Sequence, residues 1–489
     1  MSGGLPKNWL TVGLSQVIVF SKGKKPNILL KEMQESFVPY VDIKAFEKGI
    51  IDEYADIQSS KLIDQNDVLV VWDGARCGLP GIGLAGAAGS TLMVLKPVLS
   101  NPRFLYHFLM YCYKFINSKP KGTGTPHVNP DVFWSLPFPI VPLNEQKRIV
   151  AKLDAIMPRI DSVKERLEKI PAILKRFRQS VLTAAVTGKL TEKWREEHPE
   201  VESADFALSI VSKKVADSYL NVFEETQTYH LPDTWLYVPL ENLGEVRGGG
   251  TPSKSQADFW SGAIPWISPK DMKICKIKNG KDFISETALN ESSAKIIPTG
   301  SIIFVVRGMI LAHSFPVALT MNDVTINQDM KGLTPNKNAN CEYLLCVFKY
   351  MQTKVLSYVK EATHGTLRLE MPVIQTFAIP LPPLEEQKEI VAQVDKLFAL
   401  ADKVEEHYQK AWARVDALSQ SVLAKAFRGE LVPQDPDDEP AEKLLQRIRE
   451  EKEKMENELK TASRSARGTR RNGAKTQRAS HEAKQAGEP

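Results

Sequence analysis

A chain of 489 residues with 43% apolar side chains has room for about two to four domains, each with a buried core. No apolar run approaches the roughly 20 residues that cross a bilayer, and Met1 to Trp9 lacks the charged-then-apolar pattern of an export signal. The net charge of +5 sits in residues 461–489, with seven Lys/Arg against two Glu, and the rest of the chain balances, so charge alone gives no argument for nucleic-acid binding. Five thinly spread cysteines fit a reducing cytoplasm better than a disulfide framework.

Taken from the N-terminus, residues 1–143 read as a mixed α/β domain, with strands at Val68–Val71 and Ser135–Val141 and an amphipathic helix from Phe104 to Ile116. Polar, glycine-rich stretches interrupt it at Lys22 to Lys25 and at Lys119 to His127. Residues 144–190 form the first long helix. Apolar positions recur at alternating four- and three-residue steps: Ile149, Leu153, Ile156, Ile160, Val163, Leu167, Ile170 and Leu174. That period is a coiled-coil seam. Pro158 and Pro171 should kink this helix without breaking it, and Gly188 is a natural stop.

Residues 191–230 are a helical linker. A second α/β domain follows at 231–383, with strands at Ile302–Val306 and Gln375–Leu381 and a helix from Tyr343 to Tyr358. Its polar loops run from Gly248 to Lys254 and from Thr363 to Arg368. The second long helix, 384–432, carries the seam Ile390, Val394, Leu397, Ala401, Val404, Tyr408, Ala411 and Val415. At ~1.5 Å per residue each helix spans roughly 50–60 Å. A C-terminal helix at 433–460 and a basic, disordered tail at 461–489 complete the chain. Ala204 to Ile210 and Ala441 to Ile448 read as short amphipathic docking helices for a partner.

The halves are copies. Pro142 to Val150 (PLNEQKRIV) recurs as Pro383 to Val391 (PLEEQKEIV), and the shift of 241 holds without a gap to Leu190 and Leu431. Upstream, Leu5 to Leu14 echoes Leu231 to Leu240 at a shift of 226, and Val68 to Gly74 echoes Ile302 to Gly308 at 234. Two matching seams in one chain point to antiparallel pairing of the helices within the chain, with an approximate two-fold relation between the domains. Packing of each seam on its own domain, or homodimerisation, is the alternative.

Glycine lets a backbone approach DNA, Lys and hydroxyls hold phosphates, and Arg, Asn or Gln pair with base edges. The candidates are Lys22, Lys24, Lys25, Arg76, Lys121, Thr125 and His127 in the first copy. In the second they are Ser253, Lys254, Gln256, Arg307, His364, Thr366 and Arg368. Other motifs are set aside. Gly81 to Gly86 fits G-x-G-x-x-G, but β-like residues follow where a phosphate-binding helix should start, so it reads as a glycine-rich hairpin. Glu145 with Lys147, and Glu386 with Lys388, echo a nuclease motif yet open the long helices, where acids favour the dipole. There is no methyltransferase Pro-Pro-aromatic loop, no zinc-ligand spacing and no Walker A sequence.

At Ile170 to Leu182 (IPAILKRFRQSVL), Gly188 to Arg195 (GKLTEKWR) and Gln420 to Leu431 (QSVLAKAFRGEL), the chain resembles the conserved regions of type I restriction-modification specificity subunits. The order of domain, helix, domain, helix matches as well. The resemblance implies two target-recognition domains, each reading one half of a bipartite, asymmetric site in double-stranded DNA, with half-site centres roughly 34 Å apart. It implies two methyltransferase subunits docked on the helices, joined by endonuclease/translocase subunits. It places S-adenosylmethionine, ATP and magnesium with those partners and none in this chain, which would itself be no enzyme. The lack of a long apolar run leads us to expect no membrane partner. The rivals are a stand-alone DNA-binding scaffold assembled by its coiled coil, and a nucleotide enzyme resting on the glycine cluster alone.

Overall fold

The computed structural model describes residues 5–122, 124–201, 204, 231–362 and 365–458. Two compact units emerge. The first combines Met1–Leu167 with Lys410–Pro489, and the second is Glu168–Gln409. Each therefore contains one α/β lobe and a piece of both long helical segments.

In the first unit the strands are β1 (Leu10–Gly13), β2 (Ile18–Lys22), β3 (Leu29–Leu30), β4 (Phe37–Val41), β5 (Tyr54–Asp56), β6 (Leu62–Ile63), β7 (Val68–Val71), β8 (Pro80–Gly81), β9 (Gly86–Ala88), β10 (Leu92–Pro97) and β11 (Pro137–Ile140). They form a four-stranded sheet in the order β2-β10-β7-β8, a five-stranded sheet β3-β5-β4-β9-β6, and the pair β1-β11. The Val68–Val71 run is buried at every position because a central strand has both faces covered. The helix Pro102–Asn117 begins with Asn101, whose side chain caps Arg103 N–H.

The glycine-rich segment is not a hairpin. Gly81 ends β8, paired with β7, while Gly86 opens β9, which lies in the other sheet. The segment carries the chain from one sheet to the next. At Gly86 (φ +140°) a Cβ would meet Pro39 O at 2.2 Å, so only glycine fits.

The second unit repeats the plan with longer loops. Its strands are β12 (Leu236–Pro239), β13 (Gly244–Gly248), β14 (Ile264–Ile267), β15 (Lys276–Ile277), β16 (Asp282–Ile284), β17 (Ile296–Ile297), β18 (Ile302–Val305), β19 (Val317–Thr320), β20 (Val324–Ile326), β21 (Met330–Pro335), β22 (Lys360–Glu361), β23 (Leu367–Arg368) and β24 (Ala378–Leu381). Two sheets run β13-β21-β18-β19-β15 and β16-β14-β20-β17, and β12 pairs with β24 as β1 pairs with β11. Leu10 lies opposite Ile140, and Leu236 opposite Leu381.

The long helical segments pair antiparallel inside each unit. In the first, Lys164 meets Asp416 (3.5 Å), whereas the earlier Glu145 accepts from the later Gln434. In the second, Arg178 reaches Asp402 and Glu405 (2.7 Å each), and the later Arg195 meets the earlier Glu386. Each segment also packs on a lobe. Ile149, Leu153 and Ile160 join the first core with Leu423, Ala426 and Phe427, and Phe427 lies against Phe104, Phe108 and Tyr111. Val181, Leu182, Ala185 and Val186 occupy the matching place in the second core beside Ile390 and Val394.

Three expectations change. Pro158 sits inside the continuous helix Leu143–Glu168, but the segment divides at Lys169, whose carbonyl accepts from Ile173 N–H (3.1 Å) to start a second helix, Ile170–Val186, with Pro171 in its first turn. Proline lacks the N–H that would continue the ladder. The second segment is one helix, Leu384–Phe427. Seam burial is also uneven. Leu174 and Ala401 are buried, and Ile156, Leu167, Ile170, Leu397, Tyr408, Ala411 and Val415 are half-buried. Val163 and Val404, equivalent by the shift of 241, are 43% and 42% exposed. Burial follows the lobe cores, not the heptad alone. Finally, the helix at 441–458 does not offer a free apolar face. Ala441, Leu444, Leu445 and Ile448 are buried in the first core. Of the segment 204–210 only Ala204 falls within the described residues, and the tail 461–489 lies outside them.

Candidate nucleic-acid interface

The repeated sequence around each helix start acts as a latch. Glu145, 1% exposed, accepts from Trp9 Nε1 at 2.9 Å. Glu386, also 1% exposed, accepts from Trp235 Nε1 at 2.8 Å and from Thr191 Oγ1 at 2.7 Å. The next residue pins the helix to the lobe. Gln146 accepts from Ser100 Oγ and Asn101 N–H while donating to Val141 O. Gln387 accepts from Asn340 N–H and donates to Asn338 O and Pro382 O. Burial pushes the Glu145 carboxyl up despite its two side-chain donors. These acids are structural, and each fixes the approach of a long helix to a sheet.

Beyond the latch, the central strand of each lobe ends in a loop held by the same backbone bonds. In the first unit Trp72 N–H donates to Thr91 O, Val128 N–H to Trp72 O and Gly74 N–H to Pro126 O, each at 2.8 Å. In the second, Val306 N–H donates to Asp329 O (2.8 Å), Leu369 N–H to Val306 O (2.8 Å) and Gly308 N–H to Leu367 O (2.9 Å). Asp73 thus lies bridged to His127, and Arg307 to Arg368. Gly74 and Gly308 share positive φ, +118° and +133°, with open space where a Cβ would stand. The loops after β2 and β13 match too, since Lys24 N–H bonds Ala88 O (3.0 Å) and Gly250 N–H bonds Ile326 O (2.9 Å).

On this shared scaffold the side chains differ. In the first unit Asp73 accepts from Lys22 Nζ (3.0 Å) and pairs with His127 Nδ1 (2.7 Å). Lys121 is joined to His127 by two backbone bonds, and Lys24, Lys25 and Thr125 are exposed nearby in sequence. Phe20, 47% exposed, stacks on Trp134 at 4.1 Å, two residues from Lys22 on the same strand face. Arg76 is not part of this group; it pairs with Glu47 at 3.4 Å.

In the second unit Arg307 Nε donates to Asp329 Oδ1 at 2.7 Å. Asn327 supports that acid through Nδ2 to Oδ2 (3.3 Å), and accepts the Asp329 N–H at 3.1 Å. Arg368 is exposed at the end of β23. Thr366 accepts the Ala362 N–H through its backbone carbonyl. Ser253 Oγ lies 2.8 Å from Ser255 Oγ, and Lys254 and Gln256 are exposed. His364 lies outside the described residues.

Sequence reasoning missed Asp73, Asp329 and Asn327. A signal for the first was available: in the aligned strings Val68 to Gly74 and Ile302 to Gly308, the column Asp73/Arg307 is where charge reverses. Among the described residues, no group of three or more His, Cys, Asp or Glu is placed to hold a metal ion, and no helix is long and apolar enough to cross a membrane.

Two lobes that share a backbone scaffold and differ in the side chains at its loop tips define a duplicated recognition protein. The family described as the type I restriction modification DNA specificity domain matches residues 6–172 and 232–411. The type I restriction enzyme EcoKI specificity subunit of Escherichia coli (strain K12) is 30% identical over 489 residues, covering 92% of this chain and 97% of that protein. The EcoDI specificity subunit of Escherichia coli is 29% identical over 472 residues, with 92% and 97% covered. A chain from a solved structure of the type I R-M system shares the fold, with a TM-score of 0.62 at 22% identity, covering 88% of this chain and 100% of that one. The chain belongs to the type I restriction modification DNA specificity family, and its role is DNA sequence specificity.

Proposed function

We propose that each lobe reads one half of a bipartite, asymmetric site in double-stranded DNA, and that the conserved helical segments dock two methyltransferase subunits. The chain itself carries out no chemistry. It directs adenine methylation by its partners or, once endonuclease/translocase subunits join, ATP-dependent cleavage of unmodified DNA in the cytoplasm. S-adenosylmethionine, ATP and magnesium belong to those partners.

The observation that carries this reading is the pair of matching loop scaffolds with unlike side chains. Equal backbone bonds set equal presentation, and the exchange of Asp73 and His127 for Arg307 and Arg368 makes the two targets differ. The proposed contacts include Lys22, Lys24, Lys25, Lys121, Thr125 and His127 on one side. On the other they include Ser253, Lys254, Gln256, Arg307, Thr366 and Arg368. Exposed apolar residues on the long helices support docking: Val163 and Leu418 in the first unit, and Ile173, Leu400 and Val404 in the second.

Mapping methylated adenines in cells expressing the complete system tests the proposal. The expected product is one asymmetric site of two unlike halves around an unread spacer. A palindromic or uninterrupted site, or co-purification that fails to recover methyltransferase subunits, overturns it.

A further inference from the structure

Like Lys22, Arg76 and His127, Arg307 pairs with an acid, but its acid is itself held by a buried side chain. Its Nε is fixed on Asp329 Oδ1 at 2.7 Å, and the acid is fixed in turn by Asn327, which is 7% exposed. The guanidinium is planar, so anchoring Nε sets the plane of the whole fork while half of the side chain (51%) remains exposed. Gly308 follows at φ +133° with no Cβ to obstruct an approaching duplex. A planar fork pairs with a phosphate as readily as with a base edge, but a phosphate contact carries no sequence information, and this column is where the two units differ, Asp73 against Arg307.

We infer that Arg307 is the guanine-reading residue of the second unit, with its free Nη groups directed to O6 and N7 of one guanine in the major groove. Asp329 and Asn327 are its positioning residues. The inference rests on the proposed reading of half-sites and gives one of them a chemical identity. The equivalent site in the first unit holds Asp73 instead, with both carboxylate oxygens engaged. No arginine fork stands at that position in the first unit.

The test uses the assembled specificity–methyltransferase complex and a duplex library randomised over the half-site, scored by adenine methylation. Arg307→Ala removes the fork. It should erase guanine preference at a single position of one half-site, a change of roughly 5- to 150-fold. Arg307→Gln should move that preference toward adenine, which Gln can pair bidentately. Asp329→Ala removes the anchor and leaves the backbone bonds of residue 329; guanine preference should weaken at that same position only.

Three results overturn the inference while leaving the bipartite reading intact. They are unchanged specificity in Arg307→Ala, equal loss on all sequences in properly melting complexes, or an altered position that holds no G·C pair in the parent site. A parent complex that shows no bipartite site removes both.

Discussion

The indole of Trp9 donates to Glu145 at 2.9 Å across 136 residues of chain, and both side chains are buried. The second copy repeats the bond between Trp235 and Glu386; the other oxygen of Glu145 accepts from the neutral Gln434, that of Glu386 from Thr191 and the cation of Arg195. Unequal support predicts unequal sensitivity. Trp9→Phe should destabilise the protein by about 1–3 kcal/mol, the cost of a buried acceptor losing a donor. Trp235→Phe should cost less, because Glu386 keeps a cation. Denaturant unfolding of the two variants checks the order, and the reverse order would show that the indole ring, not its N–H, dominates.

The His127 and Arg368 loops occupy equivalent places. Alanine at His127 should weaken recognition of one half-site, and alanine at Arg368 the other. Each should leave the opposite half unchanged in methylation mapping. Equal losses on every DNA sequence would assign these side chains to phosphate contact or folding.

Proline and glycine at the helix ends provide a third measurement. Gly429 has φ +74°, and a Cβ there would meet Pro6 Cγ at 2.2 Å; Gly188, also at φ +74°, would meet Pro232 Cγ at 2.5 Å. Alanine at either site should therefore destabilise by more than the ~1 kcal/mol expected of left-handed backbone alone. A stability within error of the parent would mean that the proline ring yields freely.

His107 is buried beside Asp154, with Nε2 to Oδ1 at 3.0 Å. Burial lowers its pKa more than the acid raises it. The unfolded chain then binds more protons than the folded one as pH falls through the ordinary histidine value of about 6.5. This contribution is complete above that value and declines below it. His107→Gln should flatten the pH dependence of unfolding below the ordinary histidine value of about 6.5. An unchanged slope would assign the acid sensitivity elsewhere.

If the helices set the spacing between half-sites, inserting seven residues into both segments, after Lys169 and after Tyr408, should lengthen the unread spacer by about 10 Å, or roughly three base pairs. Both half-sites should stay as they were. A changed half-site with the old spacer would separate spacing from the helices.

The duplication and the long helices were legible because both are periodic and local. A shift of 241 and steps of four and three need no tertiary knowledge. The charge exchange at Asp73 and Arg307 was half-legible, since the aligned strings show it, but the partners that give it meaning, His127 and Asp329, are 54 and 22 residues away. The glycine segment was misread because G-x-G-x-x-G between strands does not say whether the chain turns back or crosses to another sheet. Likewise, the amphipathic pattern at 441–448 shows an apolar face without saying that the chain's own first core already covers it.

The first unit is closed by residues from the far end of the polypeptide, whereas the second is one uninterrupted stretch. On the ribosome the lobe that emerges first is the last to be finished. Phe104 and Phe108 wait for Phe427, which follows the whole of the second unit in sequence. A prematurely ended chain would therefore release a second lobe with all its own residues and a first lobe with an unfilled core.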